Sequence, residues 1–564
     1  IVQYMVDESL VAHLKRTVGD DLETQYRQLM QYTDEVVNFT EEQRKQIMQS
    51  LYNCKVLDPA CGSGAFPMGM LQQMVHILSR IDPDNTQWKE MMLNKAIDET
   101  SDAYRTASSD ERREIIADIE RSFDESVNRP DYARKLYLIE NCIYGVDIQP
   151  IAIQISKLRF FISLVVDQKS NDNPVENFGI RPLPNLEAKF VAANTLIGLN
   201  KKDTSLFDRA EIKAKESELK IAKHKIFGAK TVRTKRKYRQ IVNDLRLEIA
   251  KMLEDCGAVG NAEAQQLAAW DMFDQNVSSP FFDPEWMFNV KDGFDIFIGN
   301  PPYVLLQNTN ISASEKRKMI SMYCVAQYKV DLYHLFYEKA LDILRLKGVL
   351  CYITPIAFLK NIHNDRLRKL LATRSSIQIV IRFFIPVFDA SVDNAILICK
   401  KGVDVENNMI QVVDIKDSIH KIGSTPIQHH YKQSQLKLPN YYFDFNLLDN
   451  NSILTKMESC NKLSDFAKSY FGIQTYDRNM YVSKSKINSD YEPVIDGLNV
   501  KPYYLSPHTE YVNFIPSAIK SGGNPAVYAY DRIVVRQIGL YPEGTICPAG
   551  VYTLNTIYNI YLSL

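Results

Sequence analysis

Asn300-Pro301-Pro302-Tyr303, closing the apolar run FDIFIGNPPYV, puts a carboxamide, a stiff turn and an aromatic ring within four residues. The Asn300 side-chain oxygen and the Pro301 carbonyl can both accept hydrogen bonds from one –NH2, and Tyr303 offers a ring face on which a planar group can stack. Proline has no N–H, so the carbonyls of this turn are left free to face a ligand. The pattern predicts a grip on a planar exocyclic amine that biases its nitrogen toward nucleophilic attack. The same residues also suit an ordinary rigid turn after a strand.

An amine nucleophile needs an electrophile beside it. NCKVLDPACGSGAFPMGMLQQMVHIL (53–78) is a short apolar run, a glycine-containing loop, then apolar residues at helical spacing, the strand–loop–helix unit of a nucleotide-type cofactor site. Gly62 and Gly64 let the backbone approach a ligand, and Asp58 puts a carboxylate at the strand end. Pro67 occupies the place of the third glycine of a dinucleotide fingerprint, and no Gly-Lys-Ser/Thr follows, so neither an NAD cradle nor a phosphate loop is expected. A cationic sulfonium ligand with an amino-acid tail asks for a nearby carboxylate more than for a phosphate nest. In NCIYGVDIQPIAIQISKLRFFISL (141–164), Ile143 to Ile148 reads as a strand with Asp147 at its carboxyl end, suited to two ribose hydroxyls or to capping the next helix. FVAANTLIG (190–198) delivers Asn194 and Thr195 to the same edge, either for an adenine ring or for a turn.

The ordered set DPACGSGAF (58–66), GVDIQP (145–150), AANTL (192–196) and NPPYV (300–304) resembles the amino-methylating DNA methyltransferases of the gamma order. The likeness is strongest to the large adenine-N6 enzymes of restriction-modification systems, including those that fuse nuclease, methylase and specificity regions. The resemblance implies a Rossmann-like class I α/β fold that binds S-adenosyl-L-methionine and acts on double-stranded DNA. Mapped by motif, Asp58, Pro59, Ala60, Gly62, Gly64, Asp147, Ile148, Asn194 and Thr195 form the cofactor set. Asn300, Pro301, Pro302 and Tyr303 form the catalytic set that holds a flipped base. The family often has Asp where this chain has Asn194, which implies altered contacts at the adenine. FFIPVFDASVDNAILICK (383–400) resembles the segment that supplies a second aromatic against the base, a role for Phe388, with Phe384 its rival and core packing the plain reading of both. IVQYMVDESLVAHL (1–14) looks like the family's first cofactor segment entered part-way, which makes the chain a trimmed piece of a longer protein, with any nuclease region upstream.

The elements that must position these residues can be read in outline. The division expected is 1–200 and 291–404 for the two parts of the methylase fold, 201–290 for a helical insertion, and 405–564 for a linker with a partial, mixed α+β recognition domain. In the insertion, 208–222 is one helix and 223–253 a second long one with an apolar stripe of Tyr238, Ile241, Leu245, Ile249 and Met252. Its basic cluster from Lys230 to Arg239 suits DNA phosphates or a solvated face equally. Further on, 331–344 is helical by pattern, 348–359 a strand and loop, and RSSIQIVIRFF with NAILICK the final strands. His334 lies on an aromatic-rich helix face, where packing or a supporting hydrogen bond is the expected role. In the irregular C-terminal region Arg478, Arg532 and Arg536 are candidates to reach phosphates or guanine edges.

With 564 residues, 45% of them hydrophobic, the chain can bury two or three domain cores. No signal-peptide pattern or membrane-length apolar run occurs, and nine scattered cysteines lack ligand spacing, so a cytoplasmic protein without zinc or disulfides is expected. A net charge of −1 neither supports nor excludes DNA, because phosphate contacts need only a local basic face. VVDIKD (412–417) is the nearest approach to a metal-nuclease motif, and no earlier acid completes it. Three other readings remain: protein-glutamine or guanine-N2 RNA methylation, whose enzymes share an Asn-Pro-Pro-aromatic turn but are typically small and without a long C-terminal recognition region; cytosine-N4 methylation, for which the family more often has Ser in place of Asn300; and a DNA-binding specificity or interaction module that retains a methylase fold.

Overall fold

In the computed structural model of the chain, the residues described are 1–103, 109–180, 186–199, 206–227, 232–274, 276–388, 392–402, 404, 407–427, 429–436, 440–445, 456–457, 459–539 and 541–562. Two compact units divide the chain, Ile1–Leu448 and Asp449–Leu564.

The first unit is built on a nine-stranded sheet. Its strands in chain order are β1 (Val56–Asp58), β2 (Ile143–Asp147), β3 (Phe190–Ala192), β4 (Phe294–Gly299), β5 (Leu344–Pro355), β6 (Ser375–Phe383), β7 (Asn394–Lys401), β8 (Met409–Ile415) and β9 (His429–Lys432). They lie in the order β3-β2-β1-β4-β5-β7-β6-β8-β9. From β3 to β5 all neighbours are parallel, while β7 runs antiparallel between β5 and β6. Parallel strands covered on both faces read as near-continuous apolar runs, and β4 is buried at every residue from Phe294 to Gly299, with Asp295 its one charged member. Crossing from β3–β2 outward to β1–β4 reverses the winding, which opens a crevice at the carboxyl ends of the central strands. Asp58, Asp147 and Gly299 all end their strands there.

Helix α1 (Val2–Thr17) packs against β4 and β5 and is tied to the opposite end of β4. Arg16 pairs with Asp295, which also receives both Arg345 hydrogen bonds (3.0 and 3.1 Å) and the Lys55 N–H (2.9 Å). This cluster joins the N-terminal segment, the start of β1 and the strand that carries the Asn-Pro-Pro-Tyr turn.

The excursion that leaves β3 and returns beside it at Ser279 carries helices Leu206–Phe227, Val232–Asp255 and Asn261–Ala269, and a short helix, Pro284–Phe288, follows before β4. The division expected from sequence, 208–222 and 223–253, is corrected: the first helix continues to Phe227 and the second starts at Val232. The stripe is placed as expected, with Leu245 and Ile249 buried and Tyr238, Ile241 and Met252 packed at its edge. Of the basic cluster, Lys230 lies outside the described residues, Arg236 and Lys237 are exposed, and Arg239 covers the Phe273 ring at 4.3 Å. The excursion closes where it opens. The Ser279 N–H donates to the Ala192 carbonyl (2.8 Å), and the Ser279 carbonyl accepts from the Asn194 N–H (2.9 Å).

The boundary expected at 404/405 is also corrected. β8 pairs with β6 and β9 with β8, so the sheet continues to Lys432 and the first unit to Leu448. Asp414, the acid of VVDIKD, is buried in a two-point pair with Arg382 (2.7 and 3.0 Å).

The second unit mixes short strands with single turns of helix. One antiparallel sheet joins Ala467–Phe471, Ile557–Leu562, Arg532–Arg536 and Gly544–Cys547. A second joins Val482–Ser483, Glu510–Asn513, Tyr491–Ile495 and Tyr552–Thr553. Its small cores centre on Ile473, Val494, Val512 and Leu554, and on Ile495, Val534 and Ile557.

Candidate active site

The glycine loop after β1 is stitched to its neighbours. The Gly62 N–H donates to Asp147 Oδ2 and the Gln149 N–H to Asp147 Oδ1, both at 2.9 Å. The Cys61 N–H donates to the Val146 carbonyl (2.9 Å), and Ser156 Oγ donates to the Gly62 carbonyl (2.9 Å). Gly64 precedes helix Ala65–Ile81 at φ +80°, and a Cβ there would lie 2.9 Å from Ser156 Oγ, so this position demands glycine. Gly62, at φ +52°, has nothing within 4 Å of an added Cβ and leaves an open approach to the backbone.

Thr195 donates its hydroxyl to the Pro59 carbonyl (2.7 Å) and is buried, so it braces the loop and keeps only lone pairs for a ring. Asn194 Oδ1 accepts from the Leu196 N–H (3.2 Å). Ile148, beside Asp147, leaves 54% of its surface in solvent, unusual for an isoleucine at a strand end.

Asp58 is buried at 1% exposure. Its Oδ1 accepts from the Ala60 N–H (3.1 Å), and its Oδ2 has no partner among the described residues. Burial, and then the charge of Asp147, push this carboxyl well above the ordinary range against the Ala60 hydrogen bond. A carboxylate so placed is relieved by a cation. These residues fit S-adenosylmethionine: Asp58 for the positive charge, the remaining lone pairs of Asp147 for ribose hydroxyls, and Ile148 for a flat ring face.

The Asn-Pro-Pro-Tyr turn follows directly on β4. The Tyr303 hydroxyl lies 2.5 Å from Asn300 Oδ1 and 3.0 Å from the Ile353 carbonyl, and Asn394 Nδ2 approaches it at 3.4 Å. Asn300 Oδ1 therefore has one lone pair engaged and one left for an incoming amine. The Tyr303 ring meets Tyr333 edge-on, with centroids 6.2 Å apart. Behind the turn, a Cβ at Gly299 would come within 2.6 Å of Asp58 Oδ1. The acid of the glycine loop and the root of the Asn-Pro-Pro-Tyr turn are thus in direct contact.

Phe384 and Phe388 are both exposed. Phe384 is covered by Arg382 (5.6 Å) and Lys416 (5.9 Å), and Phe388 precedes 389–391, which lie outside the described residues. His334 is buried, receives the Asp331 N–H at Nδ1 (3.4 Å) and contacts Asn364 Nδ2 at Nε2 (3.2 Å). Burial lowers its pKa to about 4, the state of a neutral, supporting imidazole.

Of the three arginines chosen as DNA readers, Arg532 is corrected. It is 3% exposed, with Nε on Asn559 Oδ1 (2.7 Å), Nη2 on the Val551 carbonyl (2.5 Å) and its plane over Tyr528. Arg478 is exposed and pairs with Glu510 (2.7 Å), and Arg536 is partly exposed and pairs with Glu543 (2.9 Å). Sequence reasoning overlooked Ser156 and Asn394. A lone serine on the apolar face of a helix and an asparagine opening an apolar strand were the available signals.

The sheet order, with its antiparallel β7, and the glycine loop at the carboxyl edge define a class I S-adenosylmethionine-dependent methyltransferase fold. Residues 141–388 match the Eco57I restriction-modification methylase family, and residues 492–564 match the TaqI-like C-terminal specificity domain. Two stretches of the chain are thus similar, in this order, to an Eco57I-type restriction-modification methylase and to a TaqI-like specificity domain. It is 24% identical over 430 residues to a Methanocaldococcus jannaschii protein named as a type II restriction enzyme and methyltransferase, covering 67% of this chain and 32% of that one. It is 25% identical over 195 residues to the Escherichia coli type II restriction enzyme and methyltransferase RM.Eco57I, covering 34% and 20%. The DNA complex of the Type IIL restriction-modification enzyme MmeI aligns with a TM-score of 0.47 at 10% identity, over 98% of this chain and 61% of that one. The chain spans about a third or less of the length of these two curated relatives. Among the described residues no helix is long and apolar enough to cross a membrane.

Proposed function

We propose that this chain transfers a methyl group from S-adenosylmethionine to the N6 amine of an adenine flipped out of double-stranded DNA. The observation that carries this reading is the contact of Asp58 with Gly299, which puts the cofactor loop directly behind the Asn-Pro-Pro-Tyr turn. When bound, S-adenosylmethionine supplies an electrophilic methyl group on a sulfonium. Asn300 Oδ1 and the Pro301 carbonyl accept the two amine protons and draw the nitrogen lone pair out of the ring plane. Tyr303 and Phe388 hold the base by stacking, and alignment with electrostatics supplies the rate without a strong base. The proton leaves after transfer, once the product nitrogen is acidic. An exocyclic amine inside a duplex cannot reach the loop, so base flipping is part of the reading. Arg478 and Arg536 remain the candidates for phosphate or base contacts in the specificity domain.

Asn300 favours adenine over cytosine-N4, where the resembled family more often has serine. Incubation with mixed-sequence duplex and methyl-labelled cofactor, then nucleoside mass spectrometry, tests both. N6-methyladenine supports the reading, N4-methylcytosine overturns the target base, and absence of cofactor binding overturns the enzyme in favour of a binding module.

A further inference from the structure

The Tyr303 hydroxyl has three neighbours: the acceptors Asn300 Oδ1 and Ile353 carbonyl, and the Asn394 carboxamide. A phenol has one proton and two lone pairs. If Asn394 turned its oxygen to the phenol, three acceptors would compete for that proton. With Nδ2 facing it, a phenol lone pair is filled and the proton is directed to Asn300 and Ile353. Amide orientation follows from such hydrogen bonding.

The orientation has a drawback. Asn394 is 1% exposed, and its Oδ1 has no partner among the described residues. A buried carbonyl without a donor destabilises a fold, and an apolar residue would fit the strand start at no such cost. The position is reached because β7 runs antiparallel: Asn394 is its first residue and lies opposite Pro355, the last residue of β5. A strand that begins late in the chain thereby brings a donor to the edge where the Asn-Pro-Pro-Tyr turn emerges.

We propose that Asn394 is a positioning residue for amine methylation, acting through the Tyr303 hydroxyl to hold Asn300 Oδ1 in the orientation that accepts the target amine; this rests on the methyltransferase reading above. Asn394 touches Tyr303 and not the reacting atoms, so removing its N–H slows transfer without loosening the ligands. Asn394→Ala and the near-isosteric Asn394→Asp each lower the single-turnover methylation rate roughly 10- to 100-fold, with cofactor and DNA Kd within about twofold of the parent. In a Tyr303→Phe background neither substitution lowers the rate further. An unchanged rate in Asn394→Asp, losses that multiply with Tyr303→Phe, or a parallel loss of cofactor affinity overturns the inference. If the parent chain methylates no DNA, the functional reading falls on its own, and the contact is judged by NMR of protein carrying 13C at tyrosine Cζ. There Asn394→Asp shifts the Tyr303 resonance if the inference holds, and an unmoved resonance overturns it.

Discussion

Asn300 and Asp147 divide the chemistry between them, and their substitutions separate accordingly. Asn300→Ala removes an acceptor for the amine and lowers turnover at least about 100-fold with cofactor Kd unchanged, measured by rapid quench and equilibrium binding. Asp147→Ala removes both the proposed ribose contact and the anchor of the Gly62 N–H, so cofactor Kd rises roughly 10- to 100-fold; unchanged affinity would exclude the ribose role. His334 carries a pH signature. Its pKa falls from 6.5 to about 4 on burial, so the unfolded chain binds a proton that the folded one refuses. The stability this withholds is absent above about pH 6.5 and grows as pH falls toward 4. His334→Gln therefore flattens the acid limb by roughly 3 kcal/mol in urea titrations from pH 7 to 4, relative to the parent. Both motif acids and Asn300 were legible because spacing and neighbours announce them. Arg532 was not: in RIVVR an arginine at an inward position looks like one at an outward position until Asn559, Val551 and Tyr528 are folded around it.

At the scale of elements, the close approach of β1 and β4 is the feature most exposed to test. Gly299→Ala puts a methyl group 2.6 Å from a buried carboxylate oxygen in the middle of a packed sheet. It should destabilise the first unit by about 1–3 kcal/mol and weaken cofactor binding with it, seen as a lower urea midpoint and a higher Kd. A variant of parent stability and affinity would mean that the two motifs do not bear on each other. β1, β2 and β4 were legible as short apolar runs ending in an acid or glycine. The excursion was legible as helix from its apolar stripe, but its division was misplaced because the reading ran through Gly228, whose conformational freedom disfavours a helix interior. β8 and β9 were lost for another reason. β8 pairs with β6 and not with β7, the strand just before it in the chain, and His429–Lys432 has no apolar run to mark it.

For the whole molecule, the three arginines of the second unit divide into two outcomes, one buried and two at the surface. Arg532→Ala leaves buried acceptors empty and should lower the stability of the second unit by roughly 2–4 kcal/mol, visible as an earlier unfolding transition. Arg536→Ala and Arg478→Ala should leave that transition in place, weaken DNA binding, and reduce the slope of log affinity against log salt by about 1 each. Equal slopes for parent and variants would remove both from the DNA contact set.

The hydrogen bonds from the Ser279 N–H to Ala192 and from the Asn194 N–H to Ser279 pinch the helical excursion shut at its base. The chain leaves the sheet at the end of β3 and returns beside it at Ser279, before Pro284–Phe288 leads on to β4. Excursion length is then decoupled from strand register, since closing a longer or shorter loop between fixed ends changes the entropy only logarithmically. The part of the excursion outside the shared core of Leu219, Val242, Leu245 and Ile249 can therefore differ in length without moving Asp147 relative to Asn300. That makes this outer part, and not the strand edges, the place to graft a reporter or a second binding module onto the protein.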